Sequence, residues 1–178
     1  MVEARAGIES IATTCAIAIN SILVGISTSR AGIYNEVDMF ISRKAEFSAS
    51  HACRLASLTE EQNRETYGAA ANPRGHGHNY IFEVTLEGEP DPVTGMIVDL
   101  KDVKDVLNRE VVEPFDHRFL NHEVPPFDRI VPTAENIAIE IWRRLEPNFR
   151  GGPARLANVR LWETDDLYVD YAGSGLLS

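Results

Sequence analysis

The chain has 178 residues, of which 44% are hydrophobic, and this is enough apolar material for one domain with a packed core. Lys and Arg number 17 against 27 Asp and Glu, and the formal net charge of -10 argues against nucleic acid as the main partner because it repels phosphate groups. The two cysteines, Cys15 and Cys53, provide neither a disulfide framework nor a CxxC metal motif, and they favour a reducing, cytoplasmic setting.

Residues 1–38 differ from the rest of the chain and are expected to form a leader outside the domain. Residues 11–26 are apolar, but the stretch is too short and too polar for a membrane span. Glu3 and Glu9 offset Arg5, so the basic start of a secretory signal is missing. A disordered segment, a surface helix and a mis-assigned start codon all remain open, and no membrane contact is expected.

The first regular elements are two strands separated by a polar loop. Residues 39–51 are predicted to carry a strand that ends in the sequence FSASH. Residues 55–75 are polar and contain Asn-Pro and Arg-Gly turns, which predicts a loop with a short helix at 59–66. Residues 78–87 alternate strictly between apolar and polar side chains, which predicts a half-buried strand.

Two helices and two further strands follow. Asp99 is a good N-cap for a helix that we expect to end at Pro114, and Thr133 is an N-cap for a second helix. Strands are predicted at 156–164 and 167–171. The order strand, strand, helix, helix, strand, strand predicts an α+β fold in which an antiparallel sheet has both helices on one face.

Three histidines form the strongest chemical signal. His76 and His78 stand at i and i+2, which places both on one face of a strand, and His51 ends the preceding strand. If the two strands pair as a hairpin, the three imidazoles converge. Three neutral nitrogens with an open fourth position are typical of a catalytic zinc site, while a pair of satisfied surface histidines is the structural alternative.

Five motifs resemble the 6-pyruvoyl-tetrahydropterin synthase family, which includes the 6-carboxy-tetrahydropterin synthases of the queuosine pathway. They are FSASH at 47–51, NPRGHGHNY at 72–80, FDHRFLN at 115–121, PTAEN at 132–136 and WET at 162–164. The resemblance covers residues 39–173, which leaves 174–178 as a tail. It implies the tunnelling fold (T-fold), a ββααββ arrangement, and a homohexamer built as a dimer of trimers with active sites between subunits.

The resemblance also implies a role for individual residues of the metal site. His51, His76 and His78 correspond to the ligands of Zn2+, which binds the hydroxyls of the substrate side chain. Asp116 and His117 match the catalytic Asp-His pair, in which the carboxylate sets the tautomer of the imidazole and raises its basicity. As isolated residues, Asp116 could equally cap a turn and His117 could simply be exposed.

Three acidic or hydroxyl residues are implied in substrate binding. Glu163 matches the glutamate that anchors the pterin, since one carboxylate can accept both an N–H and the adjacent exocyclic amine. Thr133 matches a position that helps to bind the pterin, and Glu135 stands at a position that is often acidic in the family, although both could equally be ordinary residues at the start of a helix.

One position departs from the family. The catalytic cysteine of the family stands six residues before the first histidine of HGH. In this chain that position is Ala70. Alanine has no group that accepts a proton, so it cannot act as a thiolate base. Cys53, two residues after His51, is expected to be a buried small side chain rather than a substitute.

The function implied is a zinc-dependent lyase that converts 7,8-dihydroneopterin triphosphate, with loss of triphosphate, into a 6-pyruvoyl- or 6-carboxy-tetrahydropterin. The longer loop before HGH looks more like the pyruvoyl type. The alternative is a catalytically impaired or non-catalytic pterin-binding paralogue, or a chain altered at Ala70 to trap its ligand. A structural oligomer whose histidines bind nothing is a third reading.

Overall fold

The structure, a computed structural model, describes residues 39–173. The predicted leader 1–38 and tail 174–178 lie outside the described residues. The strands are β1 (Met39–His51), β2 (His76–Gly88), β3 (Arg118–Phe119), β4 (Ala154–Thr164) and β5 (Leu167–Tyr171). The helices are α1 (Glu60–Tyr67), α2 (Leu100–Leu107), α3 (Leu120–Glu123) and α4 (Ala134–Phe149).

The strands form one sheet in the order β3-β1-β2-β4-β5. The four long strands pair antiparallel, which confirms the predicted α+β fold. The prediction missed β3, which pairs parallel with β1. Two residues show no periodicity, so a strand this short leaves no pattern in the sequence.

The sheet has one buried face because apolar side chains recur at every second position. Phe47 of β1 stands opposite Tyr80 of β2, and Phe82 stands opposite Leu161 of β4. All four side chains are at most 2% exposed, and their rings or methyl groups meet the helices. The core residues of α2, α4 and the turn after α2 are Val103, Leu107, Val111, Ile137, Ile141 and Leu145.

Helix α2 begins as predicted, and the helical path continues beyond its last residue, Leu107. The Asp99 carboxylate accepts a hydrogen bond from the Lys101 N–H at 2.8 Å. The prediction that Pro114 ends the helix was wrong, because the chain continues through a π-helical turn (Asn108–Val112) and a last turn (Glu113–Phe115). The Glu113 N–H bonds to the Asn108 carbonyl five residues earlier, and Pro114 follows directly after this wider turn.

Helix α4 is tied to the loop that precedes it through a buried charge. Glu140 is 3% exposed and accepts hydrogen bonds from Arg143 and Arg144 at 2.6–2.7 Å. Burial opposes ionisation of Glu140, but the two guanidinium groups outweigh it and hold the pKa of the carboxyl below its usual value. Arg144 also donates to the Pro125 carbonyl at 2.9 Å.

No helix within residues 39–173 is long and apolar enough to cross a membrane.

Candidate metal centre

Three histidines meet where β1 ends and β2 begins. His51 and His76 are direct partners in the antiparallel ladder, and His78 faces Ala49 on the same side of the sheet. The ring centroids of His51 and His76 lie 4.4 Å apart, those of His76 and His78 lie 4.8 Å apart, and those of His51 and His78 lie 5.3 Å apart. The predicted convergence of the three side chains is therefore present in the structure.

Glycine at position 75 allows β2 to start so close to β1. Gly75 has a φ of +73°, and a Cβ there would lie 2.6 Å from the Phe119 ring and 2.9 Å from the His51 carbonyl oxygen. A side chain would therefore clash with the end of β1 as well as strain the backbone.

Glu163 of β4 completes the group. One ligand atom from each of His51, His76, His78 and Glu163 can be chosen so that all four lie within 4.8 Å of one another. Glu163 Oε1 lies 3.4 Å from His51 Nε2 and 3.5 Å from His78 Nε2. The family resemblance implied Glu163 in pterin binding but did not predict its contact with the histidines. An anionic oxygen among three imidazoles is a donor set suited to a divalent cation.

His51 is held with one nitrogen aimed at the centre. Its Nδ1–H donates to the Pro132 carbonyl oxygen at 2.6 Å, so Nε2 is the nitrogen that faces Glu163. Burial opposes a charge on His51, but the hydrogen bonds involving Cys53, Glu163 and Pro132 outweigh it and raise the pKa to about 9. At neutral pH the His51 ring of the metal-free protein is therefore protonated on both nitrogens. A cation must displace the proton on Nε2 in order to bind there.

The other two histidines are neutral and have unused nitrogens. Burial lowers the pKa of both His76 and His78 and neighbouring imidazoles add to this effect, while the charge of Glu163 opposes it without reversing it. His76 Nδ1 and His78 Nε2 are buried and have no hydrogen-bond partner. Buried polar atoms without a partner are rare in folded proteins. A metal ion between these nitrogens would satisfy both, so the residues present fit such an ion.

Tyr80 is a member of the site that the sequence did not single out. Its side chain is fully buried, and its hydroxyl lies 3.1 Å from His51 Nε2. Burial, followed by the negative charge of Glu163, raises the pKa of the Tyr80 phenol, so the hydroxyl stays protonated and can donate to Glu163. A protonated His51 Nε2 can only donate to the Tyr80 oxygen. Its position two residues after His78 was the available signal, because alternate residues of a strand share a face.

The predicted Asp116-His117 pair exists but lies apart from the histidine group. Asp116 Oδ2 is 2.7 Å from His117 Nδ1, and Asp116 Oδ1 accepts the Ser48 N–H at 2.8 Å. These two bonds, the one from Ser48 first, hold the pKa of the Asp116 carboxyl below its usual value. Among the described residues no hydrogen bond or ion pair joins His117 to His51, His76 or His78.

The surroundings of His117 explain this separation. It has a φ of +58°, its N–H donates to the Ser48 carbonyl at 2.6 Å, and its side chain is 83% exposed. His117 helps to line an open depression of about 520 Å³ together with Ser48, Ser50 and Asn79. The side chains of Ser48, Ser50 and Asn79 alternate along β1 and β2 with the ones that point toward the metal group. Ala49 and His78 also line the depression, so it adjoins the metal group.

Ala70 and Cys53 are neighbours through their backbones. Ala70 lies in a short 3-10 turn (Gly68–Ala71), and its carbonyl accepts the Cys53 N–H at 2.9 Å. Cys53 is buried, as predicted, and its Sγ lies 4.0 Å from His51 Nδ1. The thiol therefore stands on the side of His51 that faces away from the other histidines.

Thr133 and Glu135 occupy the start of α4. The Thr133 hydroxyl accepts the Asn136 N–H at 3.4 Å and acts as the N-cap, while the Glu135 side chain is exposed. Neither belongs to the group of four metal-binding candidates. The segment reaches the centre through the Pro132 carbonyl instead, a main-chain contact that no side-chain pattern could reveal.

Comparison with known proteins identifies the family. The family model described as 6-pyruvoyl tetrahydropterin synthase matches residues 40–174. The chain belongs to the 6-pyruvoyl tetrahydropterin synthase family. The resemblance predicted from the five motifs is thus confirmed, and the matched range coincides with nearly all of the described residues.

Relatives within the family carry two names. The 6-pyruvoyl tetrahydrobiopterin synthase of Homo sapiens is 41% identical over 133 residues, covering 75% of this chain and 90% of that protein. The 6-carboxy-5,6,7,8-tetrahydropterin synthase of Rickettsia bellii is 28% identical over 145 residues, covering 72% of this chain and 96% of that protein. Among solved structures, the Caenorhabditis elegans 6-pyruvoyl tetrahydropterin synthase superposes with a TM-score of 0.73 at 35% identity, covering 80% of this chain and 100% of that one.

Proposed function

We propose that the chain is a zinc-dependent pterin lyase that acts on 7,8-dihydroneopterin triphosphate and releases triphosphate. The observation that carries the proposal is the group of three imidazoles and one carboxylate within 4.8 Å where β1 ends and β2 begins. The higher identity to the pyruvoyl-type relatives, 41% against 28%, favours 6-pyruvoyl-tetrahydropterin as the product over the 6-carboxy compound.

His51, His76 and His78 would hold the zinc ion through nitrogens that face one another. When bound, zinc would supply Lewis-acid stabilisation of negative charge on a substrate oxygen. The protein contributes the orientation, since the Pro132 carbonyl fixes the tautomer of His51 and the buried face of the sheet excludes water from one side.

Glu163 would anchor the pterin ring from its place beside the three histidines, which leaves the zinc ion to the imidazoles. The hydrogen bond with His51, followed in importance by the opposing effect of burial and by the charge of His78, leaves the pKa of Glu163 below its usual value, so the group is an anionic acceptor. Such a carboxylate can accept two parallel N–H bonds from one edge of a pterin. Thr133 and Glu135, at the start of α4, would add further contacts to the ring.

Asp116 and His117 would move a proton to or from the substrate. Their exposure and their separation from the histidine group support a site that two subunits share, in which the pair of one copy faces the metal group of another. This is the reason to propose a homo-oligomer, with the hexameric dimer of trimers as the form that the family implies. The scarcity of cysteine supports a cytoplasmic location for the assembly.

Ala70 limits the proposal and favours a second candidate. A methyl group supplies no base, so turnover depends on Asp116-His117 and on the metal site, and it is expected to be slow. The second candidate is a protein that binds a reduced pterin and does not convert it. Both candidates require the same metal group and the same contact from Glu163.

A turnover assay separates the two. Purified chain, loaded with zinc and without a His-tag, is incubated with 7,8-dihydroneopterin triphosphate, and inorganic triphosphate is measured together with the pterin product. The matched variant is Ala70→Cys. Release by the native chain supports the lyase, whereas release by Ala70→Cys alone supports the binding protein. Tight pterin binding without release, lost in Glu163→Gln, supports the binding protein, and no pterin binding by any form contradicts both.

A further inference from the structure

A main-chain carbonyl fixes the orientation of His51. The Pro132 oxygen accepts the His51 Nδ1–H at 2.6 Å, and His51 is only 1% exposed. An imidazole bound in this way offers Nε2 alone to a metal ion. The position of the Pro132 carbonyl therefore decides where that Nε2 points.

Pro132 lies outside the helices and strands, so neighbouring groups must hold it in place. Two hydrogen bonds converge on the carbonyl of the preceding residue, Val131. The Thr133 N–H donates to it at 2.9 Å, and the Asn136 carboxamide donates to it at 2.8 Å. Asn136 thus ties the first turn of α4 to the residue before Pro132.

We propose that Asn136 is a positioning residue of the metal centre. Through Val131 it holds the Pro132 carbonyl against His51, and in this way it sets the affinity of the three-histidine group for a divalent cation. The inference rests on the metal-binding part of the proposed function. It gives the start of α4 a role in metal binding in addition to the predicted role of Thr133 and Glu135 in binding substrate.

The competing explanation is that Asn136 stabilises only the start of the helix. Asn136→Asp separates the two roles because the side chains have the same shape. A carboxylate cannot donate to the Val131 carbonyl, so the tie is broken. At the same time, a negative charge in the first turn of a helix is favourable, so the stability of α4 is retained.

The experiment measures zinc affinity by competition with a chromophoric chelator, using the full chain without a His-tag. Asn136→Asp, Asn136→Ala and wild type are compared with Asn63→Ala. Asn63 is a matched control, since its buried carboxamide holds the backbone of Leu55, Leu58 and Thr59 and does not contact His51. Thermal unfolding and the visible spectrum of the cobalt-substituted protein are recorded for each.

The inference predicts that Asn136→Asp binds zinc about tenfold more weakly than wild type, the lower end of the usual effect of outer-sphere changes. Its cobalt spectrum changes while its Tm stays close to that of wild type. Asn63→Ala unfolds at a lower temperature and binds zinc as wild type does.

Two results would overturn it. Equal zinc affinity and cobalt spectra for wild type and both Asn136 variants would leave Asn136 as a helix cap. If zinc affinity fell only in proportion to the fall in Tm, and fell in Asn63→Ala as well, Asn136 would again be only a helix cap. Wild-type protein that binds no zinc would instead reject the metal centre itself, and the inference with it, which is a distinct outcome of the same titration.

Discussion

The histidine group and the Asp116-His117 pair both contain side chains that can bind a proton or a metal ion. The two sets differ sharply in their exposure to solvent. The side chain of His51 is 1% exposed and has a partner at each ring nitrogen, whereas that of His117 is 83% exposed. In the histidine group, the Glu163 carboxylate supplies the counter-charge and the Pro132 carbonyl fixes the tautomer of His51. This group is therefore organised within a single chain. The Asp116-His117 pair has its carboxylate in place and faces an open depression, where the proposed shared site would place a second subunit.

The largest expected effect concerns the histidine group. His78→Ala should weaken zinc binding by more than about 100-fold, since changes outside the coordination sphere alone cost about 10–100-fold. His117→Ala should leave zinc binding unchanged. Metal analysis and chelator competition on protein without a His-tag check both variants. Equal losses in the two variants would remove the distinction between the regions.

The second prediction tests whether two subunits share a site. His78→Ala and His117→Ala should each lose activity, in Ala70→Cys protein if the native chain is too slow, because a general acid-base group contributes about 10²–10⁴-fold. Mixing the two variants under conditions that exchange subunits should restore about a quarter of the activity, since random pairing joins an intact metal group to an intact His117 in that fraction of sites. A mixture as inactive as its components would indicate that each site is built within one subunit.

The third prediction is a pH dependence that belongs to the histidine group alone. The pKa of His51 is raised to about 9, while those of His76 and His78 are lowered, so one proton leaves His51 when zinc binds near neutral pH. Apparent zinc affinity should therefore rise about tenfold per pH unit from pH 7 toward 9 and then level off. Calorimetry in two buffers of different ionisation enthalpy counts the protons, and a count of zero at pH 7.5 would contradict the assignment.

The smallest effect is expected at Tyr80. Tyr80→Phe keeps the packed ring and removes one buried hydroxyl, so it should lower the free energy of unfolding of the metal-free protein by about 1 kcal/mol. His117→Ala, at an exposed position, should change it by less than about 0.5 kcal/mol. Denaturant titration of the metal-free proteins measures both. A Tyr80→Phe protein as stable as wild type would show that its hydroxyl makes no net contribution.

The histidine group and the starts of the helices could be predicted from the sequence. Strand periodicity, metal-ligand spacing and helix caps depend on residues that are close together in the chain. The alternation at 78–87 gave the face of β2, and the spacing of His76 and His78 then put both on that face. Asp99 and Thr133 marked the starts of α2 and α4 through their capping hydroxyl or carboxylate oxygens. These features depend on residues within a few positions of one another.

The remaining features depend on contacts between distant segments. β3 became visible only through its parallel pairing with β1, and the Pro132 carbonyl carries no side-chain signature. The contact of Glu163 with His51 depends on how β4 registers against β2. The helix that continues past Pro114 required a π-helical turn that composition does not indicate.

The direct pairing of His51 with His76 also bears on how this protein family can vary. The ladder between β1 and β2 brings the two imidazoles together, and the intervening chain only has to return to the start of β2. Loop closure becomes only slightly more costly as a loop lengthens. Insertions and deletions between residues 52 and 74 should thus be tolerated by the centre, whereas a shift of one residue between the two strands would turn the histidines to opposite sides of the sheet.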